Sequence, residues 1–518
     1  MSLGFFFGAG AEVGYGLPSG GQFALELFRR NVSSEKAALR RQLQEDIDRQ
    51  TPYSTNWLPD EFWKKRIHAF GRNEFAALVE SSIEYRRLQM IEFLNNFDAA
   101  ADKAMTRLGL SRERVNAAYQ AQFGRQYGER LYSQVVRVNP KLAANVGLFD
   151  SEFFSALLDL VAAESAHSND GQRYAGAFLQ LLVGAYGQDL VQRLNQEIFL
   201  DAPENIPIFD DVSGMFRLEF SKAGVSALEL LVSEQRSFSV DNDAPIGSIL
   251  CALSHEILEG LFSQVLDYQS LIDSHFRYLF NPRAEWAKFT KMVIFLRSAR
   301  EIIRSKLDDL VGPLEGGYYH DVLRAYQADQ IDIAAVGTSN YNSLFQLVME
   351  DHEAYEIPVY HLNGSVNDFY NPYKNTIVTC PLSEVPGDQI HVPFILTQSG
   401  LKPLTSVTMS RRYVDLYDRF ASCQAIVCVG YDFNVDDSHI NGLFRELIES
   451  GGKKLYWVKP GTPQDAEQFR RTLVKKLRLS PASRDNLRIV PIDTETRTFQ
   501  GELWLEVISK DQAQTTSS

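Results

Sequence analysis

The chain has 518 residues, enough for roughly three domain-sized units. Its 52 Lys and Arg against 66 Asp and Glu leave a net charge of −14, which repels nucleic-acid phosphates and acidic membranes. Hydrophobic residues at 45% are ample for large cores, and the charge argues against DNA binding through the bulk surface.

The first element expected is a buried strand, Leu3 to Phe7, followed by Gly8-Ala9-Gly10-Ala11 and Glu12, then by Gly16-Leu17-Pro18-Ser19-Gly20. A strand ending in Gly-x-Gly lets backbone pass close to a pyrophosphate, and a following helix would turn its N-terminal N–H groups toward that charge. The third glycine of the usual dinucleotide pattern is missing, because Val13 follows Glu12. No Lys or Arg precedes this apolar start, so it is read as a strand and not as a signal peptide.

After Gly20 the pattern is helical for most of the next three hundred positions, with apolar residues at three-and-four spacing such as Phe75, Leu78, Val79, Ile83, Leu88, Ile91 and Leu94. Phe153 to Val161, Phe178 to Tyr186 and Ile249 to Phe262 repeat it, with a short β piece expected around Met215 to Phe220. No stretch approaches the ~18 uninterrupted apolar residues of a membrane span. Arg297, Arg300, Arg304 and Lys306 are expected to form a solvated or docking face of a basic helix. His255-Glu256 lacks a second His at helical spacing, so it is no zinc-protease motif.

From about Ile331 short apolar runs alternate with amphipathic stretches. Strands are expected at Ile331 to Val336, Pro358 to Leu362, Val392 to Leu396, Ala425 to Val429, Leu455 to Val458 and Leu487 to Ile492. Helices are expected at Tyr413 to Phe420, Ile440 to Ile448 and Asp465 to Lys476. That rhythm predicts an α/β fold with a Rossmann-like, doubly wound parallel sheet. The N-terminal strand cannot bury itself alone and must join this sheet. The expected organisation is therefore residues 1–30 as first strand and glycine loop, 31–330 as an all-helical insertion, 331–509 as the rest of the sheet domain, and 510–518 as a disordered tail.

Three further strand ends carry small and amide-bearing residues where a doubly wound sheet binds ligands. They are Gly337-Thr338-Ser339-Asn340-Tyr341-Asn342, His361-Leu362-Asn363-Gly364-Ser365, and Gly430-Tyr431 running on to Asp436-Asp437-Ser438-His439. Singly, such residues are turn and N-cap residues. Asp436 and Asp437 favour the positive end of the helix that follows, with an adenosine ribose contact as the other use of Asp437.

In this order the motifs resemble the sirtuin family, whose pattern runs Gly-Ala-Gly-Ala, Gly-Ile/Leu-Pro, Thr-x-Asn-x-Asp/Asn, His-Gly-Ser and a Gly-Tyr/Thr-Ser-like strand end. The matching positions here are Gly8 to Ala11, Gly16-Leu17-Pro18, Thr338 to Asn342, Asn363-Gly364-Ser365 and Gly430-Tyr431. The likeness covers residues 3–30 and about 331–460. It implies a site that binds NAD through Gly8, Ala9, Gly10, Ala11, Glu12, Leu17, Pro18, Ser19, Thr338, Asn342, Gly364, Ser365, Gly430, Tyr431 and Asp437. Asn340 is implied as the ligand of ribose or water.

Two departures matter. Between Asn342 and Cys428 the cysteines Cys380, Cys423 and Cys428 have no paired spacing, so the four-cysteine zinc ribbon of the deacylases is missing. With Cys251 they are the four cysteines of the chain, a number and placement that fit a reducing, cytoplasmic compartment and predict neither a disulfide nor a metal site. The chain is then similar to the zinc-less bacterial antiphage branch, whose members hydrolyse NAD to nicotinamide and ADP-ribose. Secondly, the residue before Gly-Ser, the family's general base, is Asn363, which does not titrate. His361 lies two residues earlier, ~6.6 Å along an extended strand and on the same face, and is expected to serve in its place.

The resemblance implies an NAD hydrolase acting as an abortive-infection effector, silent until triggered. Its implied partners are NAD, further copies of the chain and an activator such as a HerA-type DNA-translocating ATPase. The alternatives are a catalytically impaired NAD or ADP-ribose sensor, and a protein deacylase, which the missing ribbon disfavours.

Overall fold

The computed structural model describes residues 1–17, 20–129, 146–163, 165–194, 224–232, 238–266, 272, 275–310, 316–350, 357–395, 406–434 and 437–516. They fall into two compact units, one of residues 1–19, 31–69 and 269–518, the other of residues 20–30 and 70–268. The β piece expected around Met215 to Phe220 lies outside the described residues.

The first unit is mixed α/β. Its strands are β1 (Ser2–Phe7), β2 (Asp332–Thr338), β3 (Val359–His361), β4 (Asp368–Asn371), β5 (Thr376–Thr379), β6 (Val392–Pro393), β7 (Ala425–Val429), β8 (Lys454–Pro460) and β9 (Leu487–Ile492), with a two-stranded pair of β10 (Thr498–Phe499) and β11 (Glu502–Leu503) after them. Six of them make one parallel sheet in the order β3-β2-β1-β7-β8-β9. The N-terminal strand is thus central, between β2 and β7, with Phe5 opposite both Val336 and Val427.

Side chains alternate across a strand, and β1 uses both faces. Leu3, Phe5 and Phe7 enter one core with the helices Tyr318–Gln327, Leu344–Glu350 and Trp504–Thr516. Phe6 enters the other with the helices Val407–Ser422, Ser438–Glu449 and Ala466–Leu477. All three phenylalanines are fully buried, which stabilises the fold by about 1.5–3 kcal/mol each. Gly4 is required by packing, since a Cβ there would lie 2.5 Å from the Phe420 ring.

Several expectations change in the structure. The run Val392 to Leu396 does not join the parallel sheet; Val392–Pro393 is an edge of a small antiparallel sheet ordered β5-β4-β6. Proline lacks an N–H for a ladder, which suits an edge. The hairpin β4–β5 was not expected, since Asp368–Asn371 and Thr376–Thr379 are only four residues each and their apolar residues are adjacent rather than alternating.

The tail expected to be disordered from 510 is instead helical to Thr516. Trp504, Leu505 and Ile508 bury one side of that helix, and Tyr456 donates a hydrogen bond to Asp511. The basic face expected at Arg297 to Lys306 is turned partly inward: Arg300 is buried and donates to the Val366 carbonyl at 2.6 Å, and Arg297 donates to Gln42 Oε1 at 2.7 Å.

Unit boundaries also differ from those expected at 30 and 330. Residues 31–69 group with the sheet, because Tyr53 is buried and its hydroxyl accepts from the Ile390 N–H at 2.9 Å. Residues 269–330 do so because Tyr318, Tyr319, Val322 and Leu323 belong to the sheet's core.

The second unit is helical among its described residues. The helix Ile246–Val265 is long and apolar enough to cross a membrane, but 78% of that stretch is buried. Leu250, Leu253, Leu258, Leu261 and Phe262 are fully enclosed, as in a core helix. A cavity of about 530 Å³ in this unit is lined by Glu92, Lys103, Arg107 and Glu256 among others. Arg107 stands 3.8 Å from Glu256, so charges of both signs answer one another and select no ligand class.

Candidate functional site

Strand order in the sheet reverses between β1 and β7, and in open parallel sheets the ligand crevice lies outside the carboxyl ends of the strands at that point. The ends of β2 and β3 and the loops after β1, β2, β3 and β7 hold every described residue implied for the NAD site. Pro18 and Ser19 lie outside the described residues, as does Asp436.

The glycine loop after β1 is bound to the loop after β7. Gly8 donates its N–H to the Val429 carbonyl at 3.0 Å, and Gly10 donates to the Gly430 carbonyl at 2.9 Å. A Cβ on Gly8 would lie 2.5 Å from Gly430 O, and one on Gly430, at φ +67°, would lie 1.9 Å from the Ala11 nitrogen. These glycines therefore permit loop-on-loop packing. Ala11 and Glu12 close a short 3-10 turn by donating to the carbonyls of Gly8 and Ala9 at 3.0 Å each. The N–H groups of Gly8, Gly10, Ala11 and Glu12 are thus spent within the protein. No α-helix begins here either, since two 3-10 turns, Ala9–Ala11 and Val13–Tyr15, follow the strand. Contrary to the expectation of a pyrophosphate cradle, these four N–H groups are not open to a ligand. Leu17 packs, partly buried, on the core of the sheet.

At the end of β2, Thr338 Oγ1 donates to the Phe7 carbonyl at 3.0 Å and accepts the Asn340 N–H at 3.0 Å. The Ser339 N–H also reaches the Phe7 carbonyl, at 3.1 Å. This knots the Asn340 loop onto the end of the central strand. Asn342 accepts the Leu344 N–H at 3.0 Å, capping the helix Leu344–Glu350, and its Nδ2 donates to Glu12 Oε2 at 2.6 Å. Both ends of the Asn342 amide are occupied, so it builds the site rather than facing a ligand.

Glu12 is the unexpected centre. It is buried, and its other oxygen accepts from the Tyr319 hydroxyl at 2.7 Å. Asn340 Nδ2 lies 3.5 Å from that same hydroxyl and, with Asn342 and Tyr319, stabilises the charged carboxylate. Burial outweighs these donors and raises the Glu12 pKa from the ordinary 4.5 to about 7. Tyr319 is held by rings on three sides: Phe7 at 4.9 Å, Tyr15 at 5.3 Å and Phe345 at 5.3 Å between centroids. Its own hydroxyl pKa is pushed well up by burial and by Glu12.

His361, expected as a base, has both ring nitrogens engaged. Nδ1 is 2.8 Å from the Asn340 carbonyl, which it can only meet as a donor. Nε2 is 2.7 Å from Gln346 Nε2, which it meets as an acceptor. Burial lowers its pKa, which keeps the ring neutral. The ring braces the Asn340 backbone. Asn363 is fully enclosed and donates to the Ser339 carbonyl at 3.4 Å. Gly364, at φ +84°, faces the Phe394 carbonyl, where a Cβ would come within 1.9 Å. Ser365 Oγ accepts the Asn367 N–H at 3.3 Å.

No protein-family model matches the chain, and no curated protein matches it.

After β7, Tyr431 is a core residue, 5.0 Å from the Phe6 ring, with its hydroxyl donating to Asp437 at 2.7 Å. Asp437 is fully buried at the start of the helix Ser438–Glu449. Among the described residues no three His, Cys, Asp or Glu side chains gather as a metal site. Sequence reasoning placed Glu12 as a cofactor contact, but it missed Tyr319, Tyr15 and Gln346. The one available signal was Gly316-Gly317 ahead of Tyr318-Tyr319-His320: a Cβ on Gly317 would lie 2.3 Å from the Tyr15 ring.

Proposed function

We propose that this chain is an NAD hydrolase related to the sirtuins, built on a Rossmann-like sheet, and that it serves as an antiphage effector. The observation that carries the proposal is the gathering of Glu12, Asn340 and Tyr319, an acid, an amide and a hydroxyl, at the point where the strand order reverses. A crevice there is the general ligand position of such sheets.

In the reaction the bond between C1′ of the ribose and the pyridinium nitrogen breaks, and its electron pair neutralises the nicotinamide. Water oxygen bonds to C1′ and releases one proton, giving ADP-ribose. The leaving group is already cationic, so no general acid is needed, and the transition state resembles an oxocarbenium ion. What the chain must supply is orientation of the ribose and the water, with negative charge nearby. Asn340 is assigned the first task. Glu12 carries the charge, and no ion-pair partner for it is found among the described residues. Silence before the trigger is assigned to self-association or to a partner such as a DNA-translocating ATPase.

One observation favours a sensor instead: His361 has no ring nitrogen to spare, and Asn363 does not titrate. The test is to incubate the protein with NAD, alone and with the product of a neighbouring gene, and to follow nicotinamide. Release supports the hydrolase. Tight NAD binding without release under every condition supports the sensor, and removal of acetyl groups from a lysine peptide would overturn both.

A further inference from the structure

The buried carboxylate of Glu12 has a stereochemical consequence for Asn340. Three donors converge on this region: Asn342 Nδ2 at 2.6 Å from Oε2, the Tyr319 hydroxyl at 2.7 Å from Oε1, and Asn340 Nδ2 at 3.5 Å from the Tyr319 oxygen. An ionised carboxylate only accepts hydrogen bonds. Tyr319 must then spend its single proton on Glu12, and its oxygen is left to accept from Asn340. The amide of Asn340 is thereby held with its NH2 inward and its oxygen on the opposite edge. A neutral side chain at position 12 would reverse the chain of donors: it would donate to Tyr319, Tyr319 would donate to the Asn340 oxygen, and the NH2 would turn outward.

We propose that Glu12 is a positioning residue which, through Tyr319, presents the amide oxygen of Asn340 to the ribose hydroxyls or the attacking water. This rests on the NAD hydrolase reading and deepens it. The geometry suits the role because little else can move. Tyr319 is wedged between Phe7, Tyr15 and Phe345, and the Asn340 backbone is held by Thr338 Oγ1 and His361 Nδ1. The other titratable and charged groups around the network are Tyr15 with His320 on its hydroxyl, Asp321 and Arg497 acting on Tyr15, and His361 beneath Asn340. Of these, burial holds Tyr15 and Tyr319 protonated and His361 neutral at moderate pH, so Glu12 is the group placed to change the network.

The experiment measures kcat and KM for NAD hydrolysis between pH 5.5 and 9 in the wild type, Glu12→Gln and Tyr319→Phe, with thermal melts to verify folding. The wild-type kcat should rise with pH through about 7 as Glu12 ionises. Glu12→Gln should lower kcat by about 10²-fold, change KM less and lose that rise. Tyr319→Phe should lower kcat and flatten the rise as well, because it cuts the link between Glu12 and Asn340. A Gln variant with wild-type kcat and an unchanged profile would overturn the proposal. Should that variant fail to fold, a folded Tyr319→Phe protein with undiminished kcat would overturn it equally.

If the wild type releases no nicotinamide, the hydrolase reading fails by itself. Calorimetry of NAD binding then decides about Glu12: affinity that varies with pH in the wild type and not in Glu12→Gln supports the positioning role, and identical behaviour contradicts it.

Discussion

Asn342 and Glu12, 330 positions apart, meet at 2.6 Å in the loops beyond β2 and β1. That contact ties the amide-bearing loop to the short turn following the central strand. It also buries an acid among apolar rings, and several outcomes follow from this.

The first concerns stability. The folded-state pKa of Glu12 is raised from 4.5 to about 7, so its contribution is fully present below 4.5 and is lost as pH rises through 7. Between those values the unfolded chain has released a proton that the folded chain retains. The loss amounts to roughly 3 kcal/mol at most. Glu12→Gln removes it, so the variant should be the more stable protein at pH 8 and should lose less stability between pH 5 and 8. Urea denaturation at the two pH values tests this; parallel behaviour of wild type and variant would contradict it.

A second outcome separates bracing from base catalysis at His361. With Nδ1 on the Asn340 carbonyl and Nε2 against Gln346, the ring supports a loop. His361→Ala should lower NAD turnover but leave the shape of the pH profile intact. Loss of the acidic limb in that variant would return the role of base to His361.

Gly430 makes the third case. At φ +67°, with the Ala11 nitrogen 1.9 Å from the position of an added Cβ, the site rejects any side chain. The left-handed backbone alone costs about 1–3 kcal/mol for a non-glycine residue. Gly430→Ala should therefore lower the unfolding free energy by at least that amount and abolish turnover. Wild-type stability in the variant would mean that the two loops are not packed this way.

The fourth concerns the C-terminal helix. Asp321 is buried and accepts from Arg497 Nε at 2.7 Å, Arg497 Nη2 at 3.1 Å and Trp504 Nε1 at 2.9 Å. Removing Asp321 leaves the buried Trp504 indole N–H without its acceptor, which costs about 1–3 kcal/mol, and releases the partly exposed Arg497 from the helix. Asp321→Ala should make the helix Trp504–Thr516 an early target of limited proteolysis. Cleavage at the wild-type rate would count against this anchoring.

The parallel sheet was legible because strands covered on both faces must be continuously apolar, as Ala425 to Val429 are. Leu3 to Phe7 had to join it for the same reason, and it does so at the centre. The site was legible only as a set of loops. Hydrogen-bond partners there come from Glu12, Tyr319 and Asn342, whose separation along the chain leaves no periodic trace. His361 shows the limit most clearly. Its place at the end of β3 could be read from the pattern, but the use of its nitrogens was decided by Gln346, fifteen positions earlier on a neighbouring helix. The opening glycines had a use that the sequence did not show: a close approach by Gly430 and Tyr431.

The most direct measurement is nicotinamide production from NAD by the wild type and by Asn340→Ala, both verified as folded. Release is expected from the wild type, alone or with the product of a neighbouring gene, and a loss of about 10²-fold or more in the variant. Equal release by both proteins would contradict this expectation, as would a wild type that releases none under any condition.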